Sequence, residues 1–187
     1  MNKLTRHIKK KYNLTSEEEA EINACFALKT FNKKAFLLQN GITSQYEFFV
    51  INGCVRTFIT DLNGVEHNIM FSIENWWCGD LQSFINRTDS SYAIQALENT
   101  EVLAINRTDW EELSNKSEVF SNYTRELFQS AVIAQQNRLV QNLSFTAIER
   151  YHYFITKFPS LSQRVSQKHI ASFLGITPEF LSFIKNK

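Results

Sequence analysis

Between Ala35 and Ile105 the hydrophobic positions fall into short apolar or alternating runs: Ala35–Leu38, Glu47–Ile51, Val55–Thr60, His67–Ile73, Tyr92–Ala96 and Glu101–Ile105. That pattern predicts strands. Turn residues divide them at Asn40-Gly41, Asn52-Gly53, Asn63-Gly64 and Cys78-Gly79, and four of the chain's five glycines sit in these turns. Asn-Gly between alternating runs is a strong hairpin signal, so the pattern predicts a closely wound antiparallel roll or small barrel. Thr15-Ser16-Glu17-Glu18 has the capping-box spacing and predicts a short helix to about Phe26, a lid on the roll. Thr108-Asp109-Trp110-Glu111 reads as a second capping box.

From Ser117 to about Asn142 no Gly or Pro interrupts a long helical stretch. Phe120, Tyr123, Leu127, Ala131 and Ala134 form one apolar stripe along it, with Phe128, Val132 and Leu139 partly round the cylinder. Two apolar faces need two surfaces. One reading packs the helix on its own roll and sets the first stripe against a twin helix in a homodimer, where Ala131 and Ala134 permit close approach. The other sandwiches the helix within one monomer. Further helical stretches follow at Thr146–Phe158, ended by Pro159, at Ser166–Leu174, and from Thr177 onward. The expected organisation is a roll over 1–116, a dimerisation helix over 117–143 and a helical domain over 144–187, an α+β chain.

The stretch Ser166-Gln-Lys-His-Ile-Ala-Ser-Phe-Leu-Gly-Ile-Thr-Pro-Glu-Phe-Leu-Ser-Phe-Ile-Lys185 satisfies several demands of a helix-turn-helix at once. Ala171 is small where two helices cross, Gly175 permits the tight turn, and Ile170, Leu174, Ile176, Leu181 and Ile184 supply a small core. Thr177 caps the second helix and Pro178 falls at its first position, where a missing N–H costs nothing. In a DNA-reading motif the start of the second helix enters the major groove. Pro178, Glu179 and Ser182 would then face base edges, with Gln167, Lys168, Thr177 and Lys185 on the DNA side.

The order of roll, long helix and this motif resembles the Crp/Fnr superfamily of bacterial transcription regulators over nearly the whole chain. Phe145-Thr146-Ala147-Ile148-Glu149-Arg150-Tyr151 and Gln167 to Glu179 look especially like its Bacteroidetes-type branch. The resemblance implies a cyclic-nucleotide-binding-like, cupin-like double-stranded β-roll and a homodimer whose recognition helices lie about 34 Å apart on double-stranded DNA. RNA polymerase becomes a candidate partner. Two departures stand out: Phe183 occupies the place of an arginine usual after the recognition glutamate, and the chain ending at Lys187 implies a truncated or absent wing. Phe cannot donate a hydrogen bond to guanine.

In the family's cyclic-nucleotide binders, a Gly-Glu-Leu step and an Arg-Ser-Ala step cradle the cyclic phosphate. The corresponding positions here are Gly79-Asp80-Leu81 and Ser90-Ser91-Tyr92. Ser90 removes the charge-assisted phosphate contact, so control by cAMP is not expected. Gln136 and Asn137 on the long helix are candidate polar contacts at the pocket edge, and Phe48, Phe58, Ile69, Phe71, Phe84 and Leu97 are expected to fill the roll.

Charge sharpens this picture only at the C-terminal end. Residues 144–187 carry six Lys/Arg against two Asp/Glu, a net +4, which leaves −3 on the rest of a chain whose total is +1. A basic block suits a polyanion partner. Cys25, Cys54 and Cys78 are odd in number and far apart, which fits reduced thiols better than disulfides or a metal knuckle, and no cofactor or metal site is expected. His7, His67, His152 and His169 are too scattered for a cupin-type metal enzyme, and no nucleophile elbow or phosphate-binding glycine loop occurs, so an enzyme is not expected. No apolar stretch is long enough to span a membrane, and the lysine-rich start lacks an apolar leader, which predicts a cytoplasmic protein. The competing reading is a roll with a degenerate helix-turn-helix, a small-molecule sensor or protein-interaction module that does not bind DNA.

Overall fold

The computed structural model describes residues 3–185. Two short helices, α1 (Lys3–Ile8) and α2 (Ser16–Ala24), precede eight strands: β1 (Ala27–Phe31), β2 (Phe36–Leu38), β3 (Tyr46–Asn52), β4 (Val55–Thr60), β5 (Glu66–Ser72), β6 (Trp77–Cys78), β7 (Ala93–Ala96) and β8 (Thr100–Asn106). Helix α3 (Leu81–Asn86) lies between β6 and β7. After the strands come α4 (Arg107–Lys116), the long α5 (Glu118–Ser144), α6 (Ala147–Lys157), α7 (Pro159–Arg164), α8 (Gln167–Leu174) and α9 (Pro178–Lys185).

The strands form two four-stranded antiparallel sheets, β1-β8-β3-β6 and β2-β7-β4-β5, facing each other as a roll. Leu38, Phe48, Val50, Val55, Cys78, Ile94, Val102 and Ala104 fill the space between them. At Gly53 the turn has φ +108° and a Cβ would sit 2.7 Å from Thr100 Cα, so both backbone conformation and close approach demand glycine. The outer face of the first sheet is covered by the flanking helices. Leu4, Ile8, Ile22 and Phe26 pack there with Phe49, Leu103, Ile105, Leu113, Phe120 and Tyr123, which makes α2 the expected lid.

The capping box at Thr15 is present, with Glu18 accepting from the Thr15 N–H at 2.8 Å. The second expected box is shifted: Asn106, not Thr108, caps α4 by accepting from Asp109 N–H at 3.0 Å. β1 escapes sequence patterning because it is an edge strand paired only with β8, and its side chains are largely exposed. The two-residue β6 is too short for periodicity to show. Pro159 both ends α6 and occupies the first turn of α7, the position proline favours. Of the residues expected to fill the roll, Phe48 is buried between the sheets; Phe58 is buried under Arg56, Phe84 against Trp110 of α4, and Phe71 against the C-terminal helices, while Ile69 and Leu97 are only half-buried.

Candidate functional site

The C-terminal helices build the surface that the sequence assigns to DNA. Ser166 caps α8 by accepting from His169 N–H, and Gly175 ends it with φ +67° while Ile176 N–H donates back to Ala171 O at 3.0 Å. Thr177 Oγ1 accepts from Phe180 N–H at 3.2 Å and starts α9. Ile170, Ala171, Leu174, Leu181 and Ile184 are buried, with Phe154 of α6, Leu161 of α7 and Val165 just after it also buried in the C-terminal core. The whole motif is therefore held from behind. Gln167, Lys168, Thr177, Pro178, Glu179, Ser182 and Lys185 are all exposed on α8, α9 and the turn between them. Phe180 and Phe183 are also exposed on α9, their rings stacked with centroids 6.1 Å apart.

The same motif is docked on the roll of its own chain. Asn68 N–H on β5 donates to Ser172 Oγ at 2.9 Å, and Ser172 donates in turn to Glu66 O at 2.9 Å. Asn68 Nδ2 donates to His169 O at 3.2 Å. Arg164 grips Glu74 through two bonds of 2.8 and 3.0 Å and also pairs with Glu98. That partner holds the Glu74 carboxyl down at about 2. Arg138 on α5 donates to Ile69 O and to Phe173 O at 3.2 Å, joining α5, β5 and α8 through one guanidinium. Burial lowers its pKa. At the other edge of the interface Arg56 pairs with Glu66 at 2.6 Å and lies 3.4 Å from His169 Nδ1, which also receives Asn68 Nδ2 at 3.4 Å. Two donors on one ring nitrogen require the neutral imidazole. Burial, Arg56 and Lys168 all lower the pKa of His169 against the opposing pull of Glu66.

The expected ligand cradle is brought together only in part. Asp80 Oδ1 caps α3 by accepting from Ser83 N–H at 3.1 Å, and Ser90 Oγ donates to Asp80 Oδ2 at 2.7 Å while accepting from Tyr92 N–H at 3.0 Å. Asp80 and Ser90 are buried, Gly79 is half-buried, and Leu81 and Ser91 are exposed. Gln136 and Asn137 do not reach this place; both are exposed on α5, and Asn137 lines a different cleft. Sequence reasoning missed Glu47, which is 7% exposed with Oε1 unpaired; a Cβ on Gly79 would collide with its carboxyl group. Burial pushes Glu47 up to about 8, with Asp80 adding to the rise. Two buried acids thus lie at the cradle, where pairing with a phosphate would need a cation.

The first part of the expected dimer stripe faces inward instead. Phe120 and Tyr123 are buried in their own monomer, where Trp77 Nε1 donates to Tyr123 Oη at 2.9 Å and Trp110 meets Phe120 edge-on. Leu127 is half-buried, Ala134 lines a cleft against the roll, and Ala131 is exposed at the stripe's edge. The opposite face carries Val132, Ile133, Leu139, Val140 and Leu143, which are 56–80% exposed. At 3.6 residues per turn these five share one side with Gln136. The three cysteines are free; Cys54 and Cys78 are buried, and burial pushes Cys54 up to about 12. Among the described residues no cluster of metal-ligating side chains occurs and no helix is long and apolar enough to cross a membrane.

With the two sheets, the α3 step and the long helix in place, the fold can be set beside known proteins. Residues 28–117 match the cyclic nucleotide-binding domain. This domain ends where α5 begins, and three solved structures extend the likeness beyond it. The structure of FixK2 from Bradyrhizobium japonicum is similar at TM-score 0.76 and 16% identity, covering 86% of this chain and 83% of that one. The catabolite activator protein of Thermus thermophilus is similar at TM-score 0.61 and 22% identity, covering 94% and 84%. A putative transcriptional regulator of the Crp/Fnr family from Eubacterium rectale is similar at TM-score 0.70 and 18% identity, covering 92% and 82%. The cyclic nucleotide-binding-like roll, the long helix and the C-terminal helices therefore share the architecture of these chains. No curated protein matches the sequence.

Proposed function

We propose that the chain is a homodimeric, sequence-specific DNA-binding transcription regulator of Crp/Fnr type, acting in the cytoplasm and not controlled by cAMP. The observation that carries this reading is the helix-turn-helix itself: its back is buried, while all seven residues assigned to the duplex are exposed. The exposed aliphatic face of α5 supports a paired stalk, since two such faces cover each other in a dimer and bring two recognition helices to one duplex. The acids at the cradle, with Ser90 in place of an arginine, argue against a cyclic phosphate. The fold shared with regulators named above favours RNA polymerase as a partner of the DNA-bound form.

Phe180 and Phe183 favour a second reading, in which α9 meets an apolar protein surface instead of bases. Selection of random duplexes by the purified chain at two salt concentrations, with and without cyclic nucleotide, separates the two. The regulator reading expects an enriched near-palindrome that is unaffected by cyclic nucleotide and whose binding weakens with salt. Glu179→Ala should relax preference at one base pair by about 1–3 kcal/mol with little loss of nonspecific affinity. No enriched half-site would overturn DNA reading in favour of the interaction module.

A further inference from the structure

One feature left without a role is a cleft where three parts of the chain meet: β5 of the roll, the second half of α5, and the α6–α8 region. Its floor is aromatic, made by Phe71 and Trp76 of the roll with Phe154, Phe158 and Phe173 of the C-terminal helices. Its volume is about 160 Å³. An apolar cavity of roughly 150 Å³ is enough to hold one benzene ring. The cradle residues Gly79, Asp80 and Ser90 do not line it, so it is separate from the place where the roll would receive a cyclic phosphate.

Charge gives the occupant its second property. Arg138, Arg150 and Lys157 line the cleft, and no Asp or Glu does. Each cation is held by neutral oxygens: Arg138 by the carbonyls of Ile69 and Phe173, Arg150 by Leu174 O at 3.2 Å and Phe145 O at 2.8 Å, and Lys157 by Tyr153 Oη at 2.7 Å. Carbonyls and a phenol satisfy donors but do not neutralise charge. Arg138 and Arg150 are half-buried, whereas Lys157 is exposed and free to swing toward an anion at the mouth. Gln135 and Gln141 add amide donors to the same wall.

We propose that this junction cleft is a binding site for a monocyclic aromatic carboxylate, with the ring on the aromatic floor and the carboxylate among Lys157, Arg138 and Arg150. Such a ligand would touch the roll, the long helix and the C-terminal helices at once, and so would hold them in this mutual arrangement. Binding itself does not depend on the DNA-reading role.

The test is calorimetric titration of the full chain with benzoate, benzyl alcohol and hexanoate. Benzoate should bind saturably, and benzyl alcohol, of nearly the same shape without the charge, about tenfold more weakly. Lys157→Gln, an exposed change, should weaken benzoate about fivefold, and Ala134→Trp, which fills the cleft from α5, should abolish it while thermal melting shows the variant folded. Absence of saturable benzoate binding overturns the site. Equal affinity for benzyl alcohol overturns the anionic class, equal affinity for hexanoate overturns the aromatic one, and benzoate binding undiminished in folded Ala134→Trp overturns the location.

Discussion

Replacing Leu139 with Asp tests how the long helix is paired. Leu139 is 59% exposed, and its neighbours on the same face, Val132, Ile133, Val140 and Leu143, are 56, 57, 57 and 80% exposed. Full burial of such side chains is worth about 1.5–3 kcal/mol each, so covering the exposed part yields roughly 1–2 kcal/mol per residue. Ten of them in a symmetric pair give on the order of 10–20 kcal/mol gross, against an association cost of about 4–15 kcal/mol. A dimer paired through this face would therefore be stable with little to spare. Leu139→Asp acts twice, once per subunit, losing about 1 kcal/mol of burial and adding about 1–2 kcal/mol of carboxylate desolvation at each copy. The sum, roughly 4–6 kcal/mol, raises the dissociation constant by about 10³–10⁴-fold. Sedimentation equilibrium from about 1 to 100 μM should show a dimer for the wild type and a folded monomer for Leu139→Asp. Leu127→Asp, on the inward stripe, should instead lower the melting temperature and leave the mass unchanged. A dimer that survives Leu139→Asp but splits with Leu127→Asp would refute the assignment of faces.

Two further predictions concern buried and paired charge. Glu47 is raised from 4.5 to about 8 by burial, so the folded state prefers the protonated form and stability is lost as pH rises from about 4.5 to 8. Glu47→Gln removes that loss: its melting temperature should exceed the wild type's by much more at pH 8 than at pH 5, a difference on the order of 3 kcal/mol, and an equal change at both pH values would show that the carboxyl does not titrate in the fold. Glu74 is depressed by Arg164, so this pair contributes above about pH 4.5 and fades as pH falls toward 2. With both side chains about a quarter exposed, screening reduces its worth to roughly 1–2 kcal/mol. Arg164→Gln should lower the melting temperature by about 2–8 °C at pH 7 and by less than half as much at pH 3, whereas a difference independent of pH would point to lost packing.

The helix-turn-helix was legible because its signals are local: Ser166, Gly175, Thr177 and Pro178 each state a backbone requirement, and the structure meets all four where they stand. The cradle was half legible, since Gly79, Asp80 and Ser90 are placed by spacing, while Glu47 joins them from β3 through the roll's topology. A signal for it existed in an acid opening the apolar run Glu47-Phe48-Phe49-Val50. The sequence showed two apolar stripes on α5 but not which one faces inward. That choice is made by Phe26, Trp77 and Trp110, distant in sequence, which collect the aromatic stripe and leave the aliphatic one outside. Docking of the motif on the roll had no local signature at all, because Arg164 and Glu74 lie 90 residues apart.

That docking bears on how the state of the roll would reach the exposed surface of α8 and α9. The inward side of α8 is spent on β5 through His169, Ser172 and Phe173, while Gln167 and Lys168 on its outward side remain exposed. Most of the bonds at this contact end on backbone groups, which fix position more tightly than long flexible side chains would. Arg138 then ties the same β5 and α8 to α5, so one guanidinium links the long helix to the seat of the motif. A displacement of β5 need not travel along α5 to be felt, since α8 rests directly on the strand. The relation between roll and helix-turn-helix is therefore a packed contact, while the aliphatic face of α5 stays exposed on the other side of that helix.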